Sequence, residues 1–251
     1  MNFKNILVEK QGHVGFITLN QPASLNVITS AMVSEIEQAV LTFEEDEFIS
    51  VIVLKGSDEA FSSGLNLEEI ENESYAHLLK TPFFDKKWNA LLEAKKPIIG
   101  VASGYTLGMG FDILLMCDLI LASDTAVFGY PEISIALVSG VGGMKRLKNR
   151  IGLARSSDML YTGKLISADT ALEYGLVSRV IPLSLLGKEV SETAKRISSF
   201  SSPVLRLIKR ELTQNEPSLD DSAFNTCFSL EDTLEGIKAG IEKRTPQFKN
   251  K

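Results

Sequence analysis

The chain has 251 residues, 44% of them hydrophobic, enough to bury a substantial core as one large domain or a domain with an appendage. Its 26 Lys and Arg against 32 Asp and Glu give a net charge of −6, a balance that argues against a nucleic-acid binder. A mean hydropathy of +0.08 suits a soluble protein, and no run approaches the roughly 18 apolar residues of a membrane helix. With no leader-like segment at the start, a cytoplasmic location is expected.

Residues 5–9 and 13–19 alternate around Gln11-Gly12 and predict a hairpin. Thr29 or Ser30 is placed to cap a helix whose apolar positions Met32, Val33, Ile36, Val40, Leu41 and Phe43 recur at helical spacing. Ser50 to Leu54 reads as a buried strand that ends at a glycine turn, Gly56. The stretch Ala60 to Leu67 leads into an acidic segment, Glu68 to Glu73, expected to be exposed. Thr81-Pro82 can open a helix running to about Glu93, since proline fits the first helical position. A second buried strand, Pro97 to Ala102, precedes Gly108-Met109-Gly110 and a short apolar helix. Two further strands, 119–121 and 126–128, precede Pro131-Glu132. From about residue 141 the pattern turns mostly helical, with helices at 142–150, 153–161, 167–174, 185–200, 203–213 and 219–244 and one strand at 177–181. The change from strand–helix alternation to helices alone divides the chain into a core, 1–190, and a helical C-terminal region, 191–251.

The glycines at 108 and 110 offer backbone N–H groups at a helix start, where free amides and the helix dipole favour negative charge. A tight loop with close packing explains the same glycines equally well. Asp112 stands in the first turn of that helix among Phe111, Ile113, Leu114 and Leu115, so its carboxyl is expected to be buried and to need a partner or a purpose. The simpler account is a helix-dipole carboxylate. Glu132 follows a short strand and is either an exposed loop acid or an acid–base group at an element end.

Rival chemistries fail in detail. Ile113 and Lys145 stand where the third glycine of a dinucleotide fingerprint belongs, and no Walker sequence is present. In Gly100-Val101-Ala102-Ser103-Gly104 the serine lies one position too late for a hydrolase elbow. Only His13 and His77 could serve as bases, and neither has metal-ligand spacing; no metal is expected. Cys117, in an apolar run, reads as a reduced buried thiol, and Cys227 forms no motif with it.

Several segments in order resemble the crotonase superfamily, the enoyl-CoA hydratase/isomerase family, over nearly the whole chain. They include residues 14–22 with Leu25-Asn26, residues 60–67, residues 104–110, Cys117-Asp118, residues 128–132, Gly142-Gly143, residues 171–177 and residues 242–248. The resemblance implies an α/β fold, a spiral of repeated ββα units whose helical tail mediates trimer formation, with trimers commonly paired into hexamers. It implies an acyl-CoA thioester as substrate, with coenzyme A part of that substrate and no separate cofactor. It also implies a thioester carbonyl held by two backbone N–H groups, those of Leu65 and Met109, and a CoA pocket lined by Leu25, Asn26 and Val27 and by Ser63, Gly64, Leu65, Asn66 and Leu67. The family usually has Asp where Asn66 stands. Lys243 and Arg244 are candidates for the CoA phosphates.

In hydratases of the family two glutamates, at the positions of Asp112 and Glu132, handle water and the α-carbon proton. The aspartate is one methylene shorter, which moves a carboxylate by about 1.5 Å. The preferred expectation is syn hydration of a 2-enoyl-CoA, with Asp112 activating water and Glu132 as α-carbon acid–base. The alternatives are Δ3,Δ2 double-bond isomerisation by Glu132 as sole base, and a non-catalytic acyl-CoA-binding scaffold. The third acid of dienoyl-CoA isomerases is missing, since Gly140 occupies its position. The aromatic segment Tyr75 to Trp88 is expected to shape the acyl pocket.

Overall fold

The structure, a computed structural model, describes residues 3–73, 88–138, 140–213 and 222–251. The proposed helix start at Thr81-Pro82, His77 and the acyl-pocket segment other than Trp88 lie outside the described residues.

Two sheets form the frame. The larger has six strands in the order β1 (Ile6–Gln11), β2 (Val14–Leu19), β3 (Val51–Lys55), β5 (Ile98–Ala102), β7 (Leu119–Ser123) and β10 (Arg179–Ile181). Only β1–β2 is antiparallel, the hairpin expected around Gln11-Gly12. The smaller sheet runs β4 (Ala60–Ser62), β6 (Tyr105–Leu107), β8 (Val127–Gly129) and β9 (Ile166–Ser167). Strands β3 and β4, β5 and β6, and β7 and β8 therefore each place one strand in either sheet, and a helical segment follows the second and third pairs. This is the repeated ββα unit.

Both faces of the large sheet are covered, as parallel sheets require. Because side chains alternate along a strand, Ile52 and Leu54 enter one core while Val51 and Val53 enter the other. The first core is closed by α1 (Ser30–Glu45), capped by the Thr29 hydroxyl accepting from Met32 N–H at 3.1 Å. Its expected apolar face is buried except Leu41, which is 48% exposed. The second core is closed by α7 (Leu183–Ser198) through Leu186, Val190 and Ala194. Residue 190, the expected boundary, thus falls inside a helix that packs on the sheet, and the sheet core reaches Ala194.

The remaining helices in chain order are α2 (Asn89–Glu93), α3 (Gly108–Leu114), α4 (Gly143–Ile151), α5 (Leu153–Thr162), α6 (Ala168–Glu173), α8 (Ser202–Thr213), α9 (Ser222–Cys227) and α10 (Glu231–Glu242). The single helix expected over 219–244 is divided in its described part, because the chain turns at Phe228, Ser229 and Leu230. The C-terminal region is tied to the core by the Lys209 ammonium, which bonds the Lys96 carbonyl at 3.0 Å and pairs with Asp118 at 2.7 Å. Among the described residues no helix is long and apolar enough to cross a membrane.

Candidate active site

The site is assembled where β4, β6 and β8 of the smaller sheet end. Ser63 N–H bonds the Leu25 carbonyl at 2.9 Å, Ile28 N–H bonds Gly64 O at 2.7 Å, and Asn66 N–H bonds Ile28 O at 2.9 Å. These bonds lace the two segments expected to line the CoA pocket into one wall. Leu65 is the bridge residue opposite Ile28, and the bonds to Ile28 use only its neighbours Gly64 and Asn66. Alternation along an extended backbone therefore turns the Leu65 N–H away from Ile28. Ser62, fully buried, accepts from Gly64 N–H at 3.1 Å and braces this turn. Gly64 itself has φ +112°, a conformation L side chains rarely adopt.

Facing this wall is the start of α3. Gly110 lets the helix approach β4 closely, since a Cβ there would lie 2.4 Å from Ser62 Cβ. Met109, in the first turn, has an N–H without an intrahelical acceptor. Glu132 enters from the turn after β8: its Oε1 would lie 1.3 Å from a Cβ at Gly108 and 3.6 Å from one at Gly64. The carboxyl of Glu132 thus sits between the two glycines that flank the Leu65 and Met109 amides. Burial raises its pKa from the ordinary 4.5, while hydrogen bonding from backbone amides, Met109 included, acts the other way. Its Oε2 is buried and has no hydrogen-bond partner. A carboxyl in this state holds a proton more readily than a solvated glutamate and can pass it to a carbon held beside it.

Asp112 is fully buried, as its apolar neighbours led one to expect. Its Oδ1 accepts from the Tyr130 hydroxyl at 2.7 Å. A Cβ at Gly143, the first residue of α4, would lie 1.4 Å from the same Oδ1. Tyr130 is held against Phe111 with ring centroids 5.1 Å apart, and Phe111 lies 5.6 Å from Phe128. The phenol is pushed well above its usual pKa by burial and then by the nearby Asp112 charge, with Glu132 adding to the effect and Arg146 opposing it. Both carboxyl groups therefore converge on the neighbourhood of one tyrosine.

Residues 9–251 match the family model described as enoyl-CoA hydratase/isomerase. The chain belongs to the enoyl-CoA hydratase/isomerase family. It is 38% identical over 255 residues to a probable enoyl-CoA hydratase of Mycobacterium bovis, covering 99% of each chain. It is 37% identical over 259 residues to a mitochondrial enoyl-CoA hydratase of Pongo abelii, covering 99% of this chain and 89% of that one. Among solved structures, an enoyl-CoA hydratase from Bacillus anthracis superposes with a TM-score of 0.92 at 30% identity, covering 99% of this chain and 100% of that one. A Geobacillus kaustophilus enoyl-CoA hydratase subunit gives 0.95 at 36% identity, covering 99% of each.

Within this family member some expected pocket residues serve the fold directly. Asn26 is fully buried: its Oδ1 accepts from Gln21 N–H at 2.8 Å and its Nδ2 donates to Ala60 O at 2.9 Å. It holds the wall in place from behind. Asn66 caps the short turn Leu67–Glu69 by accepting from Glu68 N–H at 3.0 Å, a role for a side-chain oxygen that Asp and Asn fill alike. Glu69, from the segment expected to be exposed, accepts from Ser30 N–H at 2.9 Å and from its hydroxyl at 2.8 Å. Arg244 is already engaged by Glu235 and Glu242, each at 2.6 Å, and Lys243 beside it is exposed as well. Sequence reasoning passed over Tyr130, Ser62 and the contact of Gly143 with Asp112. A tyrosine ending an apolar strand looks like core, and a serine between Phe61 and a second serine carries no signal of its own. Among the described residues no group of three or more His, Cys, Asp and Glu could hold a metal ion.

Proposed function

We propose that the chain hydrates 2-enoyl-CoA thioesters reversibly. The observation that carries this reading is the pair of carboxyl groups, each pressed against a glycine, with Glu132 next to the Met109 amide. The thioester oxygen is received by the Leu65 and Met109 N–H groups, which stabilise the charge that gathers there as C3 is attacked. Asp112 takes a proton from water as its oxygen bonds to C3. The electron pair of the C2–C3 double bond passes into the enolate, and Glu132 delivers its proton to C2. The proton gained by Asp112 and the one lost by Glu132 then re-equilibrate with solvent. A raised pKa suits Glu132 to this acid role, and to base work in the reverse direction.

Double-bond isomerisation is the second reading, favoured by the shorter Asp112 and by Glu132 lying alone between Gly64 and Gly108. One assay separates the two. A hydratase removes the conjugated absorbance of 2-enoyl-CoA, whereas an isomerase creates it from 3-enoyl-CoA. Creation without removal would overturn the hydratase reading, and binding of acyl-CoA without either reaction would leave a scaffold. For the CoA end, the wall formed by Leu25 to Val27 and Ser63 to Leu67 is the expected contact, with Lys243 and the ion-paired Arg244 as the candidate cations.

Assembly into trimers or pairs of trimers is supported by apolar side chains left open on the C-terminal helices, among them Leu212 at 81% and Ile241 at 77% exposure. Their burial in an interface would offset the cost of exposing them. Sedimentation at a single-subunit mass would overturn this part.

A further inference from the structure

We propose that Tyr130 is a positioning residue for the water-handling half of the reaction, its hydroxyl fixing the rotation of the Asp112 carboxyl. The inference rests on the hydratase reading and adds a residue to it. The hydroxyl donates to Asp112 Oδ1 at 2.7 Å, and Tyr130 is buried at 3% exposure. Its ring is fixed by Phe111, which belongs to the same helix as Asp112, so hydroxyl and carboxyl are located by one packing unit. Gly143 packs against the same oxygen, with no room for a Cβ between α4 and Oδ1. The charged groups facing this pair are Glu132 from the same turn and Arg146 from α4, the latter tethered by Nη1 to the Val141 carbonyl at 2.6 Å.

An aspartate has a short side chain, and only its terminal torsion decides which oxygen faces a neighbour; that torsion is broad and roughly two-fold. A fixed donor on one oxygen selects one setting. The phenol stays protonated, because burial and the Asp112 charge both oppose its ionisation, so it remains a donor whenever Asp112 is charged. Misplacement of a reacting group by about 1 Å costs on the order of a hundredfold in rate, so the loss of such a guide is measurable.

The test compares two reactions on the same samples of the full chain and Tyr130→Phe. One is hydration of crotonyl-CoA. The other is exchange of the α-proton of butyryl-CoA in deuterated water, which needs Glu132 and the amides but no water attack. Tyr130→Phe is expected to lower hydration kcat by about 10- to 100-fold with KM within about threefold. Exchange should stay within about twofold, so the ratio of the two rates falls; any unfolded fraction cancels in that ratio. An unchanged ratio, whether both rates fall or neither does, overturns the inference. If the unmodified chain hydrates no 2-enoyl-CoA, the hydratase reading fails and takes this inference with it. If it does hydrate and the ratio holds, the inference alone fails.

Discussion

Around Asp112 and around Glu132 the chain uses glycine for the same purpose and completes the pockets differently. Gly143 and Gly108 each give up a side chain so that a carboxyl oxygen can occupy the space, at 1.4 and 1.3 Å from where a Cβ would be. The Asp112 pocket is then finished: the carboxyl is wholly buried and a phenol donates to it. The Glu132 pocket is left open, with one buried oxygen lacking a partner and a raised pKa. A satisfied acid is held in one orientation, which suits the binding and activation of water. An acid with one buried oxygen left unpaired is poised to trade a proton. The lesson is that two chemically similar groups are given separate tasks by what surrounds them.

The contrast can be broken most forcefully at Glu132. Glu132→Gln removes the proton carrier, and both hydration and α-proton exchange should fall by about 10³-fold or more; retention of exchange would assign the α-carbon to another group. Gly108→Ala forces a methyl into the Glu132 carboxyl at φ +48°, and should cost about 10²–10³-fold in both reactions by displacing the acid and the Met109 amide together. Gly143→Ala sharpens the difference, because its methyl meets Asp112. Hydration should fall by about 10²-fold while exchange stays within a fewfold. Equal losses would mean that the two pockets are not separate.

Stability gives a smaller effect of opposite sign. The folded-state pKa of Glu132 lies above its unfolded value, so this group's contribution is fully favourable below the unfolded pKa. It is lost as pH rises through the folded one. Glu132→Gln should therefore melt about 2–4 °C higher at pH 7, and the gain should vanish near pH 4. A matching gain from Asp112→Asn would remove the distinction between satisfied and unsatisfied acids.

The larger architecture was legible because it rests on long periodic patterns. The hairpin, α1, the strands of the large sheet and most C-terminal helices follow from two- and 3.6-residue spacing over many positions. Strands β4, β6 and β9 are of three, three and two residues, too short to show alternation, and with β8 they form the sheet that carries the site. At the site, Gly108, Met109, Asp112 and Glu132 could be singled out as candidates, but a tight loop, a helix-dipole carboxylate and a loop acid account for the same residues in sequence, and it was the resemblance to the family that favoured them. Tyr130 could not, since its ring is core and only its hydroxyl reaches the acid. That bond spans 18 residues, and a contact between the end of a strand and the turn of a helix leaves no periodic trace.

Tyr130 and Glu132 are separated by Pro131 alone. The ring of that proline locks one backbone torsion, so the turn behaves as a two-tined fork of fixed spread, one tine reaching the Asp112 side and the other the thioester side. Lengthening or shortening this fork by one residue would disturb both proton-handling positions at once. The stretch from 130 to 132 is therefore a place where substitutions can be graded but insertions cannot.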